Sequence, residues 1–214
     1  MLRVNEIFYS IQGESSYAGR PCVFVRLTGC NLRCAYCDTP YAYDDGQYLN
    51  IDEIIEQVAS YRCRLVEITG GEPLLQKETP HLIQRLLDKN FELLLETNGS
   101  LDISRIDGRC VKIVDIKCPS SGEEKKNDLE NLKRLSAKDE IKFVIGNRKD
   151  YLYAKKIMSR AKRDNPGMKP PLFSPIYGGI DPQALAEWIL ADHLEVRINM
   201  QLHKIIWGAD AKGV

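Results

Sequence analysis

The sequence predicts an α/β fold: a parallel sheet with helices outside it, either open or curled into a barrel. Three observations lead there. Short runs rich in Val, Ile, Leu and Phe alternate with stretches whose apolar residues recur at helical spacing. Polar or glycine-rich segments follow the apolar runs at 28–39, 69–73, 96–99, 117–122 and 174–179; in a parallel α/β sheet such loops share the face where ligands bind. The length of 214 residues, 43% hydrophobic and 28% charged, suits one domain with a sizeable core.

The elements read as follows. The start, MLRVNEIFYSIQGE, is a strand and a polar loop, and the run Cys22 to Leu27 is a short strand that delivers the chain to a cysteine-rich loop. Asn50 caps a helix carrying Ile51, Ile54, Ile55 and Val58, with Glu53 placed to complete a capping box. Leu65 to Thr69 is a strand ending in Gly70-Gly71-Glu72-Pro73. Pro80 opens a helix with Leu82, Ile83, Leu86 and Leu87 on one face, followed by strand Phe91 to Leu95 and the turn Glu96-Thr-Asn-Gly99. Strand Val111 to Ile116, a helix through Leu129, Leu132 and Leu135, and strand Ile141 to Ile145 continue the alternation. The segment Asp150 to Arg163 is a helix with a basic face; Leu172-Phe173 enters a turn at 174–179. Asp181-Pro182 caps a helix with Leu185, Trp188 and Ile189, and a last strand covers Val196 to Ile198.

Thirty Lys and Arg against thirty Asp and Glu give a formal net charge of zero, which argues against a nucleic-acid-binding surface, while leaving room for a local basic pocket. No stretch approaches the roughly 18 continuous apolar residues of a membrane helix, and the start carries no basic-then-apolar leader, so the expectation is a cytoplasmic protein. Seven cysteines, three of them within eight residues, do not make a disulfide framework; they suggest one metal or cluster site plus ordinary thiols.

Those three are Cys30, Cys34 and Cys37, in a loop after a strand. A structural zinc site wants four ligands, and no nearby Cys or His completes a known spacing. Three thiolates hold a cubane iron–sulfur cluster with one iron left open, which suits an enzyme whose cluster touches a substrate or cofactor.

The spacing CxxxCxxC, with Tyr36 before the last cysteine and Gly70-Gly71-Glu72-Pro73 at the next strand end, resembles the radical S-adenosylmethionine (SAM) superfamily. The resemblance implies a partial, modified TIM-type (βα) barrel of the radical SAM type with a mostly parallel sheet, a [4Fe-4S] cluster, and reductive cleavage of SAM bound to the open iron. Within that superfamily the whole chain resembles the 7-carboxy-7-deazaguanine synthases. The matching segments are Glu6-Ile-Phe, Gln12-Gly-Glu14, Gly19-Arg20, Phe24-Val-Arg26-Leu, Cys37-Asp38-Thr39, Ile68 to Pro73, Glu96 to Gly99, Asp115 to Pro119, Ser174-Pro175 and Gln201-Leu-His203-Lys204 with Trp207. That family implies a carbon–nitrogen lyase of queuosine and 7-deazapurine biosynthesis, which contracts the ring of 6-carboxy-5,6,7,8-tetrahydropterin with loss of ammonia. It also implies Mg2+, a homodimer and a flavodoxin- or ferredoxin-like reductant. One departure is that Ser15-Ser16 follow Gln-Gly-Glu where the family commonly has a glycine; this bears on a loop dihedral.

Carried over residue by residue, the resemblance implies that Cys30, Cys34 and Cys37 hold the cluster and Thr39 the Mg2+. Gly71 and Glu72 would hold the methionine end of SAM, Lys117 and Ser120 its ribose or carboxylate, and Ser174, Pro175 and Ile176 its adenine. Tyr36, Cys37 and Asp38 would line the adenosyl group, with Asn98 as a further contact. The substrate set is Ile11, Gln12, Gly13, Glu14, Arg26, Thr69, His203 and the terminal carboxylate of Val214. No side chain is assigned as catalytic: the radical is carried by SAM, and Arg26 and Thr39 place the substrate. Residues 1–214 read as a single radical SAM domain, with a cluster loop at 28–39 and a tail at 199–214 that closes the substrate pocket. The competing readings are a glycyl-radical-enzyme activating protein, which would need an exposed groove for a partner loop, and a non-enzymatic iron–sulfur or zinc module, which would leave the other strand-end loops without a task.

Overall fold

The computed structural model describes residues 1–209 and 211–214. Its first strand, β1 (Leu2–Ile11), turns back through the loop 12–20 to pair antiparallel with β2 (Pro21–Leu27), and its start pairs antiparallel with a short β3 (Gln47–Leu49). From β2 onward the chain alternates. After α1 (Ile51–Ser60) come β4 (Leu65–Gly70), α2 (Thr79–Asp88), β5 (Glu92–Thr97) and β6 (Val111–Asp115). Next are a single helical turn α3 (Asn131–Arg134), β7 (Glu140–Ile145), α4 (Arg148–Asp164), β8 (Leu172–Pro175), α5 (Pro182–Ala191), β9 (Arg197–Ile198) and α6 (Leu202–Trp207). The strands form one sheet in the order β3-β1-β2-β4-β5-β6-β7-β8-β9, parallel from β2 to β9. The result is the expected barrel-like, mostly parallel sheet, left open between β3 and β9.

Local chemistry sets the helix starts. Asn50 accepts a hydrogen bond from the Glu53 amide and Glu53 returns one from the Asn50 amide, an arrangement that stabilises α1 by about 1 kcal/mol. Asp181 accepts from the Gln183 amide ahead of Pro182 in α5, and Asn147 caps α4.

Alternation along each strand sends side chains to opposite faces. One face lies under the helices: Val23, Val25, Leu27, Val66, Ile68, Leu93 and Leu95 pack on Ile54, Val58, Leu82, Ile83 and Leu86 of α1 and α2. Further along, Val114, Ile141, Phe143, Ile145 and Phe173 pack on Tyr151, Ala154, Leu185 and Ile189 of α4 and α5. The other face begins with an apolar plug of Cys22, Phe24, Leu65, Leu94, Val111 and Ile113. Beyond it, toward the carboxyl ends of the strands, this face turns polar.

Four expectations need correction. The helix expected through Leu129, Leu132 and Leu135 is one turn, because buried Asn131 spends its side chain on the backbone of Ile103, Gly99 and Leu101 and Leu135 is already extended. Glu96-Thr97 and Ser174-Pro175 belong to strands rather than turns, since pairing with β6 and β7 extends β5 and β8. The last strand shrinks to two residues. Strand β3 and helix α6, which carry no strong local signal, form because β1 and the loop after it offer partners: the Leu202 amide donates to the Gly13 carbonyl at 3.0 Å.

Candidate active site

The carboxyl ends of the strands surround a cavity of about 650 Å³. Its wall near β2 is the cysteine loop, and Cys30, Cys34 and Cys37 all line it as free, half-buried thiols. That loop is pinned by the segment after β4: the Glu72 amide donates to the Gly29 carbonyl at 2.7 Å. A Cβ on Gly71 would press into that same carbonyl and come within 2.7 Å of the Cys30 Cβ, so only glycine allows this approach.

Glu72 itself turns away from the cavity. Fully buried, its carboxylate accepts from the amides of Leu74 and Asn98 and from the Thr97 hydroxyl, at 2.7–2.9 Å. Burial pushes its carboxyl up, against those hydrogen bonds. It therefore ties the β4 and β5 loops together, and Gly71 and Asn98 face the cavity in its place. Asn98 reaches the Cys30 sulfur at 3.8 Å and Asn31 at 3.1 Å. Ser120 likewise lies outside the lining, its amide and hydroxyl donating to Asp150.

Every other residue of the expected site lines this one cavity: Ile11, Gln12, Gly13, Glu14 and Arg26 at one side, Tyr36, Asp38 and Thr39 by the thiols, Thr69 and Lys117 between, Ser174, Pro175 and Ile176 opposite, and His203 and Val214 from the tail. Arg26 on β2 donates from Nε to Glu6 of the paired strand at 2.8 Å, with its guanidinium 5.9 Å from the Tyr41 ring. Thr39 precedes the turn Pro40–Ala42 without using its hydroxyl as a cap; that oxygen lies 3.9 Å from the Cys37 sulfur. Asp38 is held by Lys204 at 2.9 Å; burial opposes its ionisation, but Lys204, Lys142 and Arg26 keep its carboxyl below the usual range.

The tail is seated by close packing. Gly13 abuts His203, and a Cβ there would stand 3.0 Å from the His203 ring carbon and backbone nitrogen. Burial lowers the His203 pKa, partly offset by Glu14. The departure at Ser15 has a visible consequence: it adopts φ +64°, the left-handed region that glycine enters freely. Its amide donates to Asn199 and its hydroxyl accepts from the Tyr17 amide, which hold the serine there.

Sequence reasoning missed the charged floor. Glu67 on β4, Glu96 on β5, Asp115 on β6 and Lys142 on β7 all point into the cavity, and Lys142 pairs with Glu14 at 2.9 Å, with Glu96, and with Asp115 at 3.8 Å. Asp115 also takes Lys117 at 2.8 Å. Burial works against both ammonium groups, but these carboxylates hold their pKa values up; burial raises Glu96 despite Lys142, whereas Lys142 and Gln201 overcome burial and lower Glu14. The available signal was a charged residue inside an apolar strand run, as in Leu65-Val-Glu-Ile and Ile141-Lys-Phe.

The residues suit an iron–sulfur cluster with SAM. Three half-buried thiols on one loop at the cavity wall give the donor set of a cubane, whose thiolates bind separate irons. Burial raises the Cys34 thiol to about 11, with Lys117 acting the other way, so the thiolate form calls for a cationic partner. Close to this loop, Asp115 Oδ1 and the Tyr36 hydroxyl are buried without a hydrogen-bond partner, and both residues line the cavity.

A model of the radical SAM superfamily matches residues 24–116. A 7-carboxy-7-deazaguanine synthase from Chlorobaculum tepidum is 47% identical, covering 100% of this chain and 97% of its own. One from Koribacter versatilis is 44% identical over 100% of both, and one from Methanospirillum hungatei 39% identical over 96% of this chain and 85% of its own. The crystal structure of QueE from Escherichia coli matches with a TM-score of 0.78 over 94% of this chain and 93% of that one; at 24% identity this is a likeness of fold. With the cysteine loop, the Gly71 approach and one polar cavity at the strand ends, identity across the whole chain shows that this enzyme belongs to the 7-carboxy-7-deazaguanine synthase family of the radical SAM superfamily.

Proposed function

We propose that the cavity converts 6-carboxy-5,6,7,8-tetrahydropterin to 7-carboxy-7-deazaguanine with loss of ammonia, the reaction of queuosine and 7-deazapurine biosynthesis for which the relatives are named. The observation that carries this reading is one cavity with a thiol-lined wall and, a short way round the same rim, a part-buried guanidinium. Arg26 lies on the sheet face away from the helices, braced by Glu6 and Tyr41, and a fork of donors held this way suits a carboxylate ligand. When bound, the cluster and SAM would supply the radical chemistry for hydrogen abstraction, here at C6 of the pterin.

The chain's own residues place and enclose the substrate. Cys30, Cys34 and Cys37 would hold the cluster, and Gly71, Asn98, Lys117, Ser174, Pro175 and Ile176 would line SAM, with Tyr36 and Asp38 beside it. Thr39, its hydroxyl free of capping duty, would carry Mg2+ together with substrate oxygens. Arg26 would take the pterin carboxylate. The tail, through Gln201, His203 and Lys204, covers the cavity and limits water around so reactive a radical. Holding the reacting atoms at about 3 to 3.5 Å is what selects C6. Ile205, Ile206 and Trp207 of α6 are exposed apolar residues that would supply a surface for the homodimer; a flavodoxin- or ferredoxin-like protein would deliver the electron. No helix of the described residues is long and apolar enough to cross a membrane.

The test uses the anaerobically reconstituted enzyme with reductant, SAM, Mg2+ and substrate deuterated at C6. The expected result is 7-carboxy-7-deazaguanine and ammonia in equal amounts, with deuterium in 5'-deoxyadenosine and in recovered SAM. Deuterium in neither, while product forms, would reject abstraction at C6; no product from this pterin would reject the substrate.

A further inference from the structure

On the floor of the cavity one carboxyl differs from its neighbours. Glu67 is 3% exposed, and among the described residues no Lys, Arg or His lies within ion-pair distance of it. One of its oxygens accepts from Gln12 Nε2 at 2.5 Å. That bond has a fixed sense, because Gln12 Oε1 is already occupied by the Glu14 amide at 3.0 Å, which leaves only the NH2 of Gln12 to face Glu67. The hydrogen bond from Gln12 falls on Oε2, no described residue donates to Oε1, and the side chain lines the cavity. An acceptor on an otherwise buried side chain that opens onto a cavity is free to take a donor from a ligand.

We propose that Glu67 is a substrate-recognition residue whose free oxygen accepts hydrogen bonds from the N3–H and 2-amino edge of the pterin ring, while Arg26 takes the carboxylate at the other end. This rests on the reading of the substrate given above and adds the contact that separates a 2-amino from a 2-oxo ring. A carboxylate oxygen carries two lone pairs and no proton when ionised, so the one oxygen left by Gln12 can accept from both neighbouring N–H donors. Leu94 of β5 and Phe24 of β2 flank Glu67 in the sheet and supply apolar walls, so a wrongly matched edge there finds no water to compensate.

The charged surroundings make the contact depend on proton loss. Glu67 faces Glu96 from β5, Glu14 and Gln12 from the loop after β1, Lys142 from β7 and Cys22 from β2, with Asp115 of β6 beyond Lys142. Burial, then Glu96, push its carboxyl well above the usual range against Lys142, which favours the protonated form before a ring binds. Taking two N–H donors favours the ionised form; the proton leaves to solvent as the ring enters, and affinity rises with pH.

Fully oxidised 6-carboxypterin, which has the same edge and carboxylate, is the probe, titrated calorimetrically into cluster-loaded, SAM-bound enzyme in two buffers of different ionisation enthalpy. Binding to the native enzyme should release up to one proton. In Glu67→Gln the Gln12 bond persists through the new amide oxygen, which turns the new NH2 into the cavity against the ligand's donors. The variant should keep its iron and melting temperature, bind 6-carboxypterin about 10- to 100-fold more weakly without proton release, and prefer 6-carboxylumazine, whose 2-oxo group accepts from the amide. Native proton release and affinity retained in Glu67→Gln would overturn the assignment and leave Glu67 as a prop for Gln12. Binding to the native enzyme with no proton released would overturn it too, and that measurement needs no variant. Failure of the native enzyme to bind 6-carboxypterin at all would overturn the substrate reading together with this one.

Discussion

Replacing Lys142 with methionine keeps the stem but deletes the ammonium that pairs with Glu14, Glu96 and Asp115. Lys142 is buried, as are its carboxylate partners to within about a quarter of their side-chain surface, so the loss leaves negative charges facing one another with little water to screen them. Breaking a buried pair from one side costs about 3–5 kcal/mol. For a chain of this size that lowers the melting temperature by about 6–20 °C. The pH dependence has a definite sign. In the native protein Lys142 holds Glu14 below the usual range, so this stability is present above the unfolded-state pKa and is lost as pH falls through the folded one. In Lys142→Met burial dominates and raises both Glu14 and Glu96 in the folded state, so their penalty grows as pH rises through those values and fades in acid. Thermal unfolding of both proteins, anaerobic and cluster-loaded, at about pH 5.5 and pH 8 measures the difference. It should be largest at the higher pH. A gap that is the same at both, or that widens in acid, would refute the argument that the floor is held by this charge pairing.

Alanine at Cys30, Cys34 or Cys37 should abolish cluster loading and SAM cleavage, whereas Cys118→Ala, at a buried thiol behind β6, should retain about four irons after reconstitution; a Cys34→Ala variant that cleaves SAM normally would contradict the ligand set. Thr39→Ala should raise the Mg2+ concentration needed for turnover with little change in SAM binding, and Thr39→Ser should be mild; an unchanged Mg2+ titration would leave Thr39 as a turn residue. Gly71→Ala forces its Cβ into the Gly29 carbonyl and to 2.7 Å from the Cys30 Cβ, so the cysteine loop must shift. It should lower iron content and cost about 1–3 kcal/mol in stability, read from iron analysis and denaturant unfolding, and normal iron content would show that the loop yields without moving Cys30.

Features that act over a few neighbouring residues were legible before folding. The spacing of Cys30, Cys34 and Cys37, the caps at Asn50 and Asp181, and most of the alternation of apolar runs with helical ones are each written within a dozen positions and appear in the structure there, the helix around Leu132 excepted. The strand-end loops were legible for the same reason, since parallel strands put their carboxyl ends on one face whatever the details. The charged floor was decided by tertiary structure. Whether Glu67 or Lys142 meets the cavity or the helices depends on strand register, and register is set by pairings such as Phe24 with Glu67 and Asp115 with Lys142 across distant parts of the chain. Glu72 shows the same limit from the other side: its motif was plain in sequence, but the amides of Leu74 and Asn98, brought by two different strands, turn its carboxylate inward and leave Gly71 facing the cavity. Helix α6 exists because Gly13 and Asp38 await it, a reason that no window of sequence around Leu202 contains.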